Sequence, residues 1–193
     1  MKRIVFIFAA LLCVASCKNP STMNRNFLQL AADRYSVRSF DSTLVDPAMT
    51  DKIIRAGMLA PTAVNSQPQK IYVVNTPEMI SQLNEVSPCL YGAPQCFVFC
   101  YNDDNVCKRG EDGNYGDIDV TIVMTHMCLE AADLGLGTCI VGYFDPVRLA
   151  QVMNLPENVH PVLLMPFGYP AADCVPSEKH TACRSLDEVI EYR

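Results

Sequence analysis

An α+β fold in one domain is what the 193-residue sequence predicts. Helix-like and strand-like segments follow one another without strict alternation, which favours α+β over a regularly alternating α/β chain. Residues 96–101 form an uninterrupted apolar run bounded by Pro94 and Asn102-Asp103-Asp104, the pattern of a buried strand. Two Asp-Pro pairs, Asp46-Pro47 and Asp145-Pro146, mark helix starts. Asp caps free N–H groups there, and Pro at the first helical position forfeits none that is needed.

The elements follow in order. Residues 24–33 read as a short first helix with Phe27, Leu28 and Ala31 on one face. The helix opened by Asp46-Pro47 runs to about Leu59, with Ile53, Ile54, Gly57 and Met58 at helical spacing, and Pro61 stops it. Residues 70–75 are β-branched and aromatic, hence a strand; residues 77–86 read as a helix, and 96–101 as the buried strand. The longest helix spans about residues 116–134. Ile118, Ile122, Met124, Cys128, Leu129 and Ala132 make it apolar on more than one face, which predicts burial between the sheet and a further surface, such as another subunit. Gly135-Leu136-Gly137 ends it, and residues 138–143 are the next strand. Asp145-Pro146 opens a helix to about Asn154, residues 161–168 form a strand, and Ser185-Leu186-Asp187-Glu188 is a capping box for a last short helix.

Ahead of these elements stands a segment of another kind. Lys2 and Arg3 precede an uncharged apolar stretch, residues 4–15. It is shorter than the roughly 20 apolar residues that span a bilayer but fits an export signal. Val14-Ala15-Ser16-Cys17 closes it and resembles the lipobox of bacterial lipoproteins. That resemblance implies a signal peptide over residues 1–16, a lipid on Cys17, a tether over 17–23 and a domain over 24–193, held at a membrane outside the cytoplasm. Cleavage after residue 16 leaves 177 residues and, without Lys2 and Arg3, shifts the net charge from −6 to −8. An acidic surface repels phosphate backbones, so no nucleic-acid partner is expected. Eight cysteines remain after Cys13 and Cys17. They lack CxxC spacing, so the sequence offers no zinc site, and core packing is the expected role for most. An exported protein could also pair some of Cys89, Cys107, Cys174 and Cys183.

Three polar clusters stand out. In Arg34-Tyr35-Ser36-Val37-Arg38 an extended backbone puts Arg34, Ser36 and Arg38 on one side, a cationic face suited to a phosphate. Residues 60–68 form an irregular loop whose Asn65 and Gln67 amides can pair with the polar edge of a planar heterocycle. Residues 135–144 place glycines where backbone can approach a ligand closely. No P-loop, Rossmann fingerprint or nucleophile elbow is present.

In this order and spacing the clusters resemble the nitroreductase family of FMN-dependent oxidoreductases, from about Asn24 to Tyr192. The carriers are R-x-S-x-R, A-P-T-A-x-N-x-Q-P, G-L-G-T-C-x-x-G, P-V-x-L-x-x-x-G-Y-P and the basic stretch at 176–184. The resemblance implies a mixed or antiparallel central sheet flanked by helices, an obligate homodimer and two FMN sites at its interface. Arg34 and Ser36 would hold the phosphate side and Arg38 would lie near flavin N1. Pro61, Thr62, Ala63, Asn65 and Gln67 would reach the flavin from the partner subunit. The backbone around Val141 and Gly142 would approach N5, and Lys179 and Arg184 would complete the phosphate clamp. The implied activity is two-electron, ping-pong reduction of nitro compounds, quinones or similar acceptors, with no catalytic side chain and with NAD(P)H as an admissible donor. Export weakens that donor assignment, since nicotinamides are largely cytoplasmic.

One departure is Gln69, where the family commonly has Trp; the chain has no Trp. The rival readings are a lipid-anchored flavin- or small-molecule-binding protein without turnover and a flavin-dependent dehalogenase-like enzyme. His126 and His160 read as structural, and residues 102–115 as a solvated loop.

Overall fold

One strand, β2 (Gln95–Asn102), organises the structure, and its position explains why that run is apolar throughout. The computed structural model describes residues 26–111 and 113–193; the export segment, Cys17 and the tether lie outside them. β2 pairs antiparallel with β1 (Gln69–Val74) on one side and β6 (Val159–Gly168) on the other. β6 carries the short β5 (Gly137–Thr138) on its far edge, so the sheet is antiparallel in the order β1-β2-β6-β5.

Alternation along β2 sends Phe97 and Phe99 to one face and Cys96, Val98 and Cys100 to the other. On the first face they join Met165 and Phe167 beneath α2 (Pro47–Met58) and α4 (Gly116–Asp133), which supply Ile53, Val123, Met124 and Met127. On the second, with Val74 and Leu164, they lie against Leu83 and Val86 of α3 (Pro77–Val86) and Leu149 of α5 (Pro146–Val152). The sheet is thus flanked by helices on both faces, as predicted. The helix starts also form as read: Asp46 accepts the Ala48 N–H, and Asp145 accepts those of Val147 and Arg148. Ser185 and Glu188 close their capping box on α6 (Leu186–Val189).

Three expectations need correction. The first helix, α1 (Phe27–Asp33), starts at an Asn26 cap, later than read, and its Phe27–Leu28–Ala31 face is exposed. Phe27 and Leu28 are 67% and 75% exposed, and Leu30 is the residue turned inward. The strand expected over 138–143 is interrupted after Thr138. Opposite Cys139 stands Pro166, which accepts the Cys139 N–H at 3.2 Å but has none to return. Pairing resumes at Val141, which exchanges both backbone bonds with Leu164 at 2.9 Å. The loop over 102–115 contains a small hairpin, β3 (Lys108–Arg109) with β4 (Gly113–Asn114). All eight cysteines of the described residues are free thiols; Cys96, Cys100, Cys128 and Cys139 are buried, Cys89, Cys107 and Cys174 half-buried, and Cys183 exposed.

Candidate functional site

The Arg34–Arg38 segment is held against the end of β5. The Val37 N–H donates to the Thr138 carbonyl at 2.9 Å, and Ser36 and Thr138 form an isolated parallel bridge. Val37 is 1% exposed and faces the core, which turns Ser36 and Arg38 the other way. Glycine at 137 makes this approach possible, because a Cβ there would lie 2.6 Å from Val37 Cγ2.

Ser36 and its neighbours line a polar cavity of about 300 Å³ together with the C-terminal stretch: Arg34, Tyr35, Ser36, Arg38, Ser177, Lys179 and His180. Two short-range contacts hold the stretch there. His180 Nε2 lies 3.0 Å from the Ala32 carbonyl; a carbonyl only accepts, so this nitrogen carries the proton. The Tyr35 ring meets the His180 ring edge-on at 6.1 Å. Ser177 accepts the Lys179 N–H at 3.3 Å and opens the turn Glu178–Thr181. Arg38 Nη1 reaches the Ser36 carbonyl at 3.3 Å. Burial, with the nearby Cys174 thiol, pushes the Tyr35 hydroxyl above its ordinary pKa, so it stays a neutral hydrogen-bond donor. Arg34, Arg38 and Lys179 bring basic side chains, and among the described residues no carboxylate lines the cavity. Such a lining is chemically suited to an anion.

A second cavity of about 410 Å³ adjoins it across Arg34 and Tyr35 and runs past Ala132, Gly135 and Thr138. Gly135, at φ +78°, lets the chain leave α4 with the Leu136 N–H returned to the Ala131 carbonyl at 2.8 Å. Cys139 lies beside Ser36 and Arg38: burial raises its thiol pKa, while the Arg38 charge and a Ser36 hydrogen bond oppose that rise. The Val141 N–H is spent on Leu164, whereas Gly142 has no backbone acceptor for its N–H among the described residues.

Arg184 is exposed and stands outside the residues lining the cavity. Pro61, Thr62, Ala63, Asn65 and Gln67 lie elsewhere, at the opposite end of α4. Ala63 donates its N–H to Asp119 Oδ1 at 2.9 Å, in the first turn of that helix. Asp119 and Ala132, which borders the second cavity, are about 13 helical residues apart, roughly 20 Å at ~1.5 Å per residue. The loop is a tight, self-bonded knuckle. Thr62 Oγ1 accepts the Gln67 N–H at 3.1 Å, and the Gln67 amide donates to Asn65 Oδ1 at 3.2 Å. Val64, Asn65 and Gln67 have φ of +48°, +57° and +47°. That region is strained for β-branched Val64, whose side chain is exposed.

Tyr35, Ser177 and Asp119 did not emerge from the sequence as site residues. Asp119 did leave a signal: residues 119, 123, 127 and 131 share one face of α4, and a lone carboxylate in an otherwise apolar buried row needs a partner.

Comparison with known proteins agrees with this architecture. A sequence model of the nitroreductase family matches residues 31–89 and 87–169. A nitroreductase family protein of Clostridium difficile is 34% identical and superimposes with a TM-score of 0.81 over 87% of this chain and 98% of its own. A protein of Methanothermobacter thermautotrophicus is 31% identical over 153 residues, which is 75% of this chain and 77% of its own length. An NADPH-dependent oxidoreductase of Staphylococcus haemolyticus is 30% identical over 162 residues, and the match spans 64% of that protein's length. With the family match covering most of the chain and the sheet, the flanking helices and the cationic segment in place, the chain belongs to the nitroreductase family of oxidoreductases.

Proposed function

We propose that the protein is an FMN-dependent oxidoreductase that reduces nitro compounds, quinones or similar acceptors by two electrons in a ping-pong cycle. The observation that carries this reading is the cationic cavity. On a chain with 21 acidic and 15 basic residues, Arg34, Arg38 and Lys179 gather with Ser36, Ser177 and His180 around a cavity whose own lining holds no carboxylate, while Asp33 lines the adjoining cavity. These residues fit a phosphate group, and the adjoining cavity past Thr138 gives the rest of the cofactor room. FMN, when bound, supplies the redox chemistry. The chain's own residues would then bind and orient it: Arg34, Ser36 and Lys179 would hold the phosphate, Arg38 would lie beside the ring where negative charge develops, and the Gly142 N–H would be available to the hydride-accepting edge.

The working unit in this reading is a homodimer. Pro61, Thr62, Ala63, Asn65 and Gln67 stand roughly 20 Å along α4 from the cavity (at ~1.5 Å per residue), too far to close over a flavin held by their own chain. A second copy would bring them there. Exposed Met58, Leu59 and Val64 give that contact apolar surface.

We further propose that Cys17 carries lipid and tethers the enzyme in the cell envelope. The site is then cut off from cytoplasmic NAD(P)H, and a donor outside the nicotinamides supplies the electrons. The test is purification of the lipid-free domain, reconstitution with FMN and anaerobic titration with NADH, NADPH and a reduced quinone. A yellow protein bleached by the reduced quinone and reoxidised by a nitroaromatic is the expected result; bleaching by NADH or NADPH alone would refute the donor assignment, and failure to retain FMN after reconstitution would refute the whole reading.

A further inference from the structure

Three buried side-chain oxygens of the described residues have no hydrogen-bond partner: Ser66 Oγ, Gln69 Oε1 and Asp119 Oδ2. All belong to one neighbourhood. Ser66 and Gln69 flank Gln67-Pro68 at the base of the 61–67 knuckle, and Asp119 holds the knuckle through Ala63. Gln69 faces Tyr101 across the β1–β2 pair, and the Tyr101 ring packs on Gly116 at the start of α4, one turn before Asp119. Unsatisfied buried oxygens are rare and costly, so their gathering at one loop marks a place where packing has been subordinated to something else.

The knuckle also has three residues at positive φ, one of them β-branched. Such a conformation persists only when its surroundings over-determine it. Its internal bonds close the loop on itself but do not aim it. Among the described residues, the Asp119–Ala63 bond is the one hydrogen bond that ties residues 61–67 to another element. Asp119 is well suited to the task. It is 2% exposed, stands in the first turn of α4, and its Oδ1 accepts the Ala63 N–H at 2.9 Å.

We propose that Asp119 is a positioning residue acting in trans: its carboxylate fixes the knuckle that presents Asn65 and Gln67 to the cofactor held by the opposite chain. The assignment rests on the FMN-binding homodimer proposed above. Asp119 touches neither cofactor nor substrate in this role. It acts through the Ala63 N–H, and the conservative Asp119→Asn, whose amide oxygen accepts the same N–H, should preserve most of its effect.

The experiment compares dimeric wild type, Asp119→Ala and Asp119→Asn for FMN affinity by fluorescence quenching and for amide exchange across residues 62–67. Asp119→Ala should weaken FMN binding about tenfold or more and speed exchange in the knuckle, with the sheet and α4 unchanged. Asp119→Asn should stay within about threefold of wild type, as expected when the net hydrogen bond is kept. Should Asp119→Ala not fold, Ala63→Pro removes the same bond from the loop side. Thr62, at φ −130° and ψ 159°, already has the conformation required before proline. The trans claim is tested with mixed dimers of Asp119→Ala and an Arg34→Ala/Arg38→Ala chain, carrying different tags. Action in trans gives one wild-type FMN site per mixed dimer; action within one chain gives none. Wild-type FMN uptake with unaltered affinity in Asp119→Ala, or a mixed dimer with no intact site, overturns the assignment alone. Wild-type protein that takes up no FMN overturns the functional reading and this assignment together.

Discussion

Gly137→Ala should damage the anion site without altering any residue that lines its cavity. The new methyl would sit 2.6 Å from Val37 Cγ2 and 2.9 Å from Val37 Cβ, the latter a branch point that a rotamer change cannot remove. Ordinary carbon contacts begin near ~3.5 Å, so the Val37 backbone must retreat by roughly 0.6 Å. Val37 is fully buried, and overpacking of such a site costs about 1–3 kcal/mol. At ~2–4 °C per kcal/mol for a domain of this size, Tm should fall by about 2–12 °C. Because Val37 lies between Ser36 and Arg38, the same retreat carries both out of the ~2.7–3.2 Å range of a hydrogen bond. Losing one or two such bonds to a charged group weakens FMN about tenfold to a hundredfold. Differential scanning calorimetry and FMN titration give the two readouts. Adding Val37→Ala makes room for the methyl, so the double variant should recover part of the affinity and be more stable than the two single costs added together. Unchanged FMN affinity in Gly137→Ala, or a double variant whose losses simply add, would refute the argument that this contact sets the site.

Other outcomes follow from other parts of the molecule. Arg38→Gln should make the bound flavin harder to reduce by about 20 mV in a spectroelectrochemical titration, since roughly 30 mV corresponds to ~1.4 kcal/mol for a two-electron couple. Phe97→Ala should cost about 3–5 kcal/mol in urea unfolding, because Phe97 is fully buried and stacks on Phe167 with centroids 4.2 Å apart. Burial pushes the Cys96 and Cys100 thiols from 9.0 up to about 12. The folded state therefore keeps protons that the unfolded chain releases, and this contribution, complete below pH 9, is lost between pH 9 and 12. A Cys96→Ala/Cys100→Ala variant should show a shallower decline of stability over that range. In a brief native alkylation read by mass spectrometry, exposed Cys183 should react while Cys96 and Cys100 stay unmodified until the protein unfolds. Cys17→Ala should abolish fatty-acid labelling and release the protein from membranes; persistent labelling would remove the anchor assignment.

What the sequence revealed depended on how local the physics was. The Asp-Pro helix starts form as read because the cap, the fixed φ and the first helical N–H groups all lie within four residues. The strand over 138–143 was overextended because the obstacle, Pro166, comes from another strand and matters only once register is set. The exposure of the Phe27–Leu28–Ala31 face of α1 was not legible for a related reason: hydrophobic spacing identifies a face, not what covers it. The Arg34–Ser36–Arg38 face was legible from the two-residue period alone, whereas Ser177 and His180 join it through a turn far along the chain. Asp119 was missed because a carboxylate in a first helical turn already has an ordinary explanation. Its bond to Ala63, 56 residues away, appears only in the folded structure.

The anion cavity draws its walls from both extremes of the domain, the exit of α1 and the turn at Glu178–Thr181. An occupant there would act as a clasp between head and tail of the chain. The domain could load its cofactor only after residue 180 had emerged and docked, so loading would also report that the chain through residue 180 had arrived. Ligand at a hundred times its Kd adds about 2.7 kcal/mol to stability. Under the envelope location proposed above, that gain would separate finished molecules from unfinished ones in the face of extracytoplasmic proteases.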